Sequence, residues 1–177
     1  HMNHVNLSTL ISEAQIQKRV QELGEQIKDR FSGKEDIVAV GVLKGSIMFY
    51  ADLLRAIDMD IQCEFYGCSS YGNSTKSSGE VKLTLDLANS VKDKHVLLIE
   101  DIVDSGLTMN YLKTVIGARN PATITTASLL LKPDSLKEEC EVDFVGFEIG
   151  DDFVVGYGLD FQGYYRNLPY VATVNMN

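Results

Sequence analysis

The sequence predicts an α/β fold, an open and mostly parallel sheet flanked by helices. Two observations carry this reading. Strand-like and helix-like segments alternate through the first two thirds of the chain, the pattern of parallel strands joined by crossover helices. Several strand-like runs are apolar throughout rather than at every second residue, as strands covered on both faces are. At 177 residues, 45% hydrophobic and 23% charged, the chain is long enough for one globular domain with a real core, expected to span residues 1–177. No internal repeat, linker or second core is visible. His1 precedes Met2 and reads as a remnant of cloning.

The elements follow in order. "SEAQIQKRVQELGEQIKDRF", residues 12–31, places Ile16, Val20, Leu23, Ile27 and Phe31 at helical spacing. Ser12 and Gln15 form a capping-box start. "DIVAVGVL" is a buried strand, and "SIMFYADLLRAI" a helix with Ser46 at its cap. "IQCEFYGCSS" is a further strand. The Ser- and Gly-rich stretch 69–80, "SSYGNSTKSSGE", is a flexible loop that is either a passive connection or a lid. "VKLTLDL" alternates and pairs back across that loop. "HVLLIED" is a buried strand ending in acids, followed by the helix "LTMNYLKTVIGAR", stopped near Gly117 and Pro121. "TITTASLLLK", "VDFVGFEI" and "YVATVN" complete the strands.

Composition excludes several functions. A net charge of −9 disfavours a nucleic-acid partner, whose phosphates call for Lys and Arg. No apolar window is long enough for a membrane span, and no secretory signal opens the chain. The three cysteines, Cys63, Cys68 and Cys140, form no C-x-x-C pair, which fits reduced thiols in a cytoplasmic protein. The three histidines do not cluster, so zinc is not expected. A bound metal would be a hard ion such as Mg²⁺ on carboxylates.

The informative stretch is "HVLLIEDIVDSGLTMNYL", residues 95–112. In open α/β sheets, ligands bind at the carboxyl ends of strands. Glu100, Asp101 and Asp104 stand there. "DSGLT" then opens a helix whose first N–H groups have no internal acceptor. Gly106 allows a close turn, and Ser105 and Thr108 add hydroxyls. This is an anion cradle suited to a phosphate, without the G-x-x-x-x-G-K-S/T of a P-loop or a G-x-G-x-x-G dinucleotide fingerprint. The acids repel phosphate but accept hydrogen bonds from sugar hydroxyls and attract Mg²⁺. A phosphorylated ribose satisfies both halves.

"VLLIEDIVDSGLT" resembles the phosphoribosyl diphosphate (PRPP) motif of type I phosphoribosyltransferases. "LLLKPDS" and "FVVGYGLDFQGYYRNLPY" are similar to the 6-oxopurine branch of that family, and the likeness runs from "VGVLKGS" to "RNLPYV". It implies a small hood over the sheet and a flexible active-site loop. It implies purine salvage, in which the 5-phosphoribosyl group of PRPP passes to hypoxanthine, and guanine also, with Mg²⁺. The products would be the nucleoside monophosphate and diphosphate.

Residue by residue, the resemblance implies Asp104 as the base or proton relay near purine N7. Glu100 and Asp101 would engage ribose hydroxyls and metal. Asp104, Ser105, Gly106, Leu107 and Thr108 would wrap the 5′-phosphate. Lys132 would donate to the purine O6, Phe153 stack on the base, and Val154 present backbone groups to its edge. Asp160 would bind a Mg²⁺ that holds diphosphate. Arg166 and the Leu43–Lys44–Gly45 turn would contact diphosphate, and Ser70 and Tyr71 would belong to the lid. A homodimer or homotetramer is implied. Each residue also has a plainer reading: Lys132 reaching into water, Phe153 in the core, Asp160 and Arg166 as a surface ion pair. Two rival functions stand beside the enzyme. One is a PRPP-binding regulator without turnover; the other is a flavodoxin-like nucleotide-binding domain.

Overall fold

The apolar runs form a parallel sheet because each carries β-branched or leucine side chains that find cover on both faces. The structure is a computed structural model that describes residues 5–70 and 81–176. In chain order the elements are β1 (Val5–Ile11), α1 (Glu13–Arg30), β2 (Ile37–Leu43), α2 (Ile47–Ala56), β3 (Gln62–Ser70) and β4 (Val81–Leu85). There follow β5 (His95–Val103), α3 (Leu107–Gly117), β6 (Thr123–Leu131), a 3-10 turn (Pro133–Ser135), β7 (Phe144–Glu148), β8 (Val154–Val155) and β9 (Val171–Met176). One sheet has the order β4–β3–β2–β5–β6–β7 and a second the order β1–β9–β8.

In the larger sheet β3, β2, β5, β6 and β7 are parallel. Antiparallel β4 lies at one edge, paired with β3 on either side of residues 71–80. The lid reading of the 69–80 stretch therefore falls, apart from Ser69 and Ser70, outside the described residues. Val96, Leu97, Leu98 and Ile99 of β5 are wholly buried, each contributing about 1.5–3 kcal/mol by burial. Their side chains alternate between two cores. Leu97 and Ile99 face α1 and α2, while Val96 and Leu98 face α3 through Met109, Leu112 and Ile116. Both faces are covered, as the continuous apolar runs predict.

The local signals behave unequally. Ser12 caps α1 with the reciprocal Gln15 bond, at 2.8 and 3.1 Å. Ser46 holds the cap position of α2, but its own backbone is already helical and its hydroxyl caps nothing; that hydroxyl is buried without a partner among the described residues. β5 does not end at Asp101. It continues two residues further, pairing Ile102 with Leu130 and Val103 with Leu131. β1 escapes the sequence reading because its exposed faces give it little apolar alternation. It forms the smaller sheet with β9, which is the hood, and β8 adds two residues to it.

Edge strand β7 is protected from α1. Arg19 donates to the carbonyls of Val145 and Gly146 at 2.7 and 2.8 Å, occupying acceptors that an open edge would present to another chain.

Gly24 sits inside α1, where Ala should be better by about 1 kcal/mol on helix propensity alone. A Cβ there would lie 2.5 Å from the Ala56 carbonyl oxygen of α2. We expect Gly24→Ala to destabilise the protein by about 1–3 kcal/mol, as overpacking does. Urea unfolding measures this; a gain in stability would show that the two helices are not so closely packed.

Candidate active site

β2 and β5 are neighbours, but the chain leaves them in opposite directions, from β2 to β3 and from β5 to β6. Such a divergence leaves a crevice at the carboxyl ends, where α/β sheets bind ligands. A cavity of about 500 Å³ opens at that point. Lys44 and Gly45 after β2 form one wall and the segment from Glu100 to Gly106 another. Asp160 and Arg166 close it from the side of the hood.

The two acids at its floor are held in a poor environment for charge. Glu100 is 5% exposed, and among the described residues its Oε1 has no hydrogen-bond partner. Burial pushes its carboxyl well above the usual range, and the charge of Asp101 adds to this. Burial also raises Asp101, to about 6, although the backbone N–H of Ile102 and the charge of Arg166 oppose it. Asp101 Oδ1 accepts from that N–H at 2.8 Å. Gly45 makes this packing possible: a Cβ there would fall 1.9 Å from Asp101 Oδ2. Cys68 lies in the same cavity. Burial, together with the charges of Glu100 and Asp101, pushes its thiol up to about 12, so it is a neutral thiol near pH 7.

Beyond the acids the chain turns into α3. Gly106 takes a left-handed φ of 85°, which glycine adopts without strain. A Cβ there would also approach Cys140 Cβ at 2.9 Å. Ser105 Oγ accepts from Leu107 N at 3.3 Å. Ser105, Gly106, Thr108 and Met109 line the cavity, beside a helix start whose first N–H groups lack helical acceptors.

Parallel register sets the next contact. Val103 pairs with Leu131, so Asp104 and Lys132 leave adjacent strands side by side. Their charged ends are 3.5 Å apart, with Lys132 8% exposed and Asp104 57%. Both border a smaller cavity of about 140 Å³, which shares Asp101, Ile102, Asp104 and Asp160 with the larger one. Phe153 and Val154 of the hood line it too. Phe153 is 51% exposed and meets Phe161 edge to face at 5.7 Å, so the core-packing reading of Phe153 fails. The remaining hood residues are tied together. Arg166 lies 3.4 Å from Asp160 and donates to the Gly158 carbonyl at 2.6 Å. Asp160 Oδ2 accepts from Gly163 N at 2.8 Å.

Most of the residues singled out in the sequence thus border one of two adjoining cavities. Leu107 opens α3 but does not line either. Ser70 ends β3, and Tyr71 lies outside the described residues. Sequence reasoning did not single out Val42, Cys68, Val103, Met109 and Leu159, which line the cavities, and it had Ser69 only as part of the 69–80 loop. The end of an expected strand could have pointed to Cys68 and Ser69; nothing local points to Leu159. Among the described residues no group of three or more His, Cys, Asp or Glu is arranged to hold a metal by itself.

Residues 8–162 match the family described as phosphoribosyl transferase domain. The chain belongs to that family. It is 48% identical over 173 residues to the hypoxanthine-guanine phosphoribosyltransferase of Bacillus subtilis (strain 168), covering 98% of this chain and 96% of the relative. It is 42% identical over 175 residues to the hypoxanthine phosphoribosyltransferase of Haemophilus influenzae, covering 98% of each. The crystal structure of a hypoxanthine phosphoribosyltransferase from Staphylococcus aureus matches with a TM-score of 0.91 and 40% identity, covering 98% of this chain and 93% of that one. The doubly covered parallel sheet is therefore the phosphoribosyltransferase fold, and the resemblance drawn from the sequence holds over nearly the whole chain.

In the ligand-free phosphoribosyltransferase, Asp101 titrates near 6, above the ordinary 3.8. The folded state carries the full cost of burying its charge above about pH 6. That cost fades as the pH falls toward 3.8 and the folded state takes up a proton. Asp101→Asn keeps an oxygen for Ile102 N and removes the charge. In metal-free buffer its Tm should exceed that of the parent at pH 7, with the gap closing toward pH 4. Thermal scans across this range check it; no gain at pH 7 would contradict it.

Proposed function

We propose that this protein transfers the 5-phosphoribosyl group of PRPP to hypoxanthine, and also to guanine, in purine salvage. The products are the nucleoside 5′-monophosphate and diphosphate. The observation that carries the reading is the Asp104–Lys132 pair, which borders a small cavity sharing four lining residues with the acid-floored one. A base-sized site next to a site for a phosphorylated sugar suits a transfer between the two. The names of the relatives give the same reading. They lend nothing to the regulatory alternative.

A 6-oxopurine entering the smaller cavity would take the place of the Asp104–Lys132 ion pair. Lys132 donates to O6 and Asp104 accepts from N7–H. Adenine presents an amino donor instead of O6, so it would set two donors face to face. Phe153 offers its exposed ring to the base plane, and Val154 its backbone to the base edge. In the larger cavity Ser105, Gly106 and Thr108 receive the 5′-phosphate, with Leu107 supplying only backbone. Glu100 and Asp101 accept from the ribose hydroxyls; the unpartnered Glu100 oxygen suits such a donor. Lys44, Gly45 and Arg166 hold the diphosphate end.

Purine N9 attacks C1′ as the bond to diphosphate breaks, with positive charge building on the ribose. Diphosphate leaves with the bonding electron pair, and Lys44 and Arg166 stabilise its charge. Asp104 takes the N7 proton that the new C1′–N9 bond makes acidic. Glu100, Asp101 and Asp160, which line the larger cavity, are the residues that would hold a Mg²⁺ arriving with PRPP, and it would supply charge neutralisation for the departing diphosphate. A homodimer or homotetramer in the cytoplasm is our reading of the setting. The three cysteines are free, and among the described residues no helix is long and apolar enough to cross a membrane.

A product assay with PRPP, Mg²⁺ and each of hypoxanthine, guanine, xanthine and adenine tests the proposal. Monophosphate should form from 6-oxopurines and hardly from adenine; PRPP binding without turnover on any base would move the regulatory reading to first place. Asp104→Asn should lower kcat by about 10²–10⁴-fold, the usual worth of a positioned acid or base, with the KM for PRPP nearly unchanged. Lys132→Ala should raise the purine KM and weaken discrimination against adenine; unchanged kinetics on every base would remove Lys132 from the purine contact.

A further inference from the structure

Tyr157 is an unusual residue for its place. It has a φ of 49° between Gly156 and Gly158, at 97° and 103°, a conformation costly for a bulky side chain. Yet it is 6% exposed, and its hydroxyl donates to Asp52 Oδ2 of α2 at 2.5 Å. Asp52 is paired in turn with Arg55. Burial, reinforced by the bond to Asp52, pushes the Tyr157 phenol up, so it remains a donor at every working pH.

The loop that Tyr157 pins is the one that builds the diphosphate end. Tyr157 N donates to Leu168 O and Gly158 N to Arg166 O, both at 2.8 Å. Arg166 returns a bond to Gly158 O. Gly158 presses so closely on the turn after β2 that a Cβ would lie 2.1 Å from the Gly45 carbonyl oxygen. Gly45 in turn abuts Asp101. The bond from Tyr157 to α2 thus fixes a stack of backbone that ends at Asp101, with Arg166 and Asp160 attached to it.

We propose that Tyr157 and Asp52 are positioning residues for the diphosphate end of the PRPP site, touching neither substrate. This rests on the transferase reading above. Tyr157→Phe and Asp52→Ala should each raise the KM for PRPP and the Kd for free diphosphate about tenfold, the worth of a hydrogen bond to a charged group, and change the KM for hypoxanthine less than about twofold. The double variant should be no worse than either single one. Asp52→Asn, which keeps an acceptor, should stay near the parent. Unchanged PRPP and diphosphate affinity in folded variants overturns the proposal, even where Tm falls. If Tyr157→Phe does not fold, Asp52→Ala on the half-exposed side of α2 decides. Diphosphate calorimetry separates the two readings. A parent without turnover defeats the transferase, while parent and variants that bind diphosphate equally defeat the positioning role.

Discussion

A buried carboxylate is costly, and this chain buries Glu100 on the central strand of its sheet with a second, partly buried acid, Asp101, directly after it. Glu100 and Asp101 are both raised by desolvation. Among the described residues one oxygen of Glu100 is left without a partner, while Asp101 lies against the backbone of Gly45. Nothing in the packing of β5 calls for acids there, since Val96, Leu97, Leu98 and Ile99 just before them are apolar and wholly buried. The arrangement makes sense as a site kept short of hydrogen-bond donors and positive charge. A ribose diol and a cation supply both.

The rest of the site follows from how the sheet is wound. α1 and α2 cover one face and α3 the other, because the chain leaves β2 and β5 in opposite directions. That divergence leaves the crevice. Parallel register between β5 and β6 then brings Asp104 beside Lys132 without any dedicated device. The hood supplies what the sheet lacks, an aromatic face and the Asp160–Arg166 pair. Because β1 and β9 pair along their length, the hood draws on segments far apart in the sequence.

The sheet was legible because buried parallel strands are written as continuous apolar runs, and α1 because Ile16, Val20, Leu23 and Ile27 keep helical spacing. The acids and the turn after them were legible because Glu100, Asp101, Asp104 and Gly106 break such a run in an order that packing does not require. β1 was not legible: only Ile11 in it is buried, so its period is faint. The continuation of β5 past Asp101 was hidden by the acids themselves, which look like an end. The closeness of Asp104 to Lys132, and of Gly158 to Gly45, depends on strand register and on a tertiary turn; no spacing within the chain encodes either. The resemblance to the family named Lys132 and Asp104 separately, and the fold makes them a pair.

The most direct test of the account is the proton balance when PRPP binds with Mg²⁺. Calorimetric titration at pH 6 in buffers of different ionisation enthalpy measures it, and the same titration of Asp101→Asn corrects for protons shed by PRPP itself. If buried acids wait for sugar hydroxyls and a cation, binding pulls their raised pKa values down. The parent protein should then release more protons than the variant. Equal release, or uptake by the parent, would mean that Asp101 does not meet the ligand as a charged group, and the account of the site would fall.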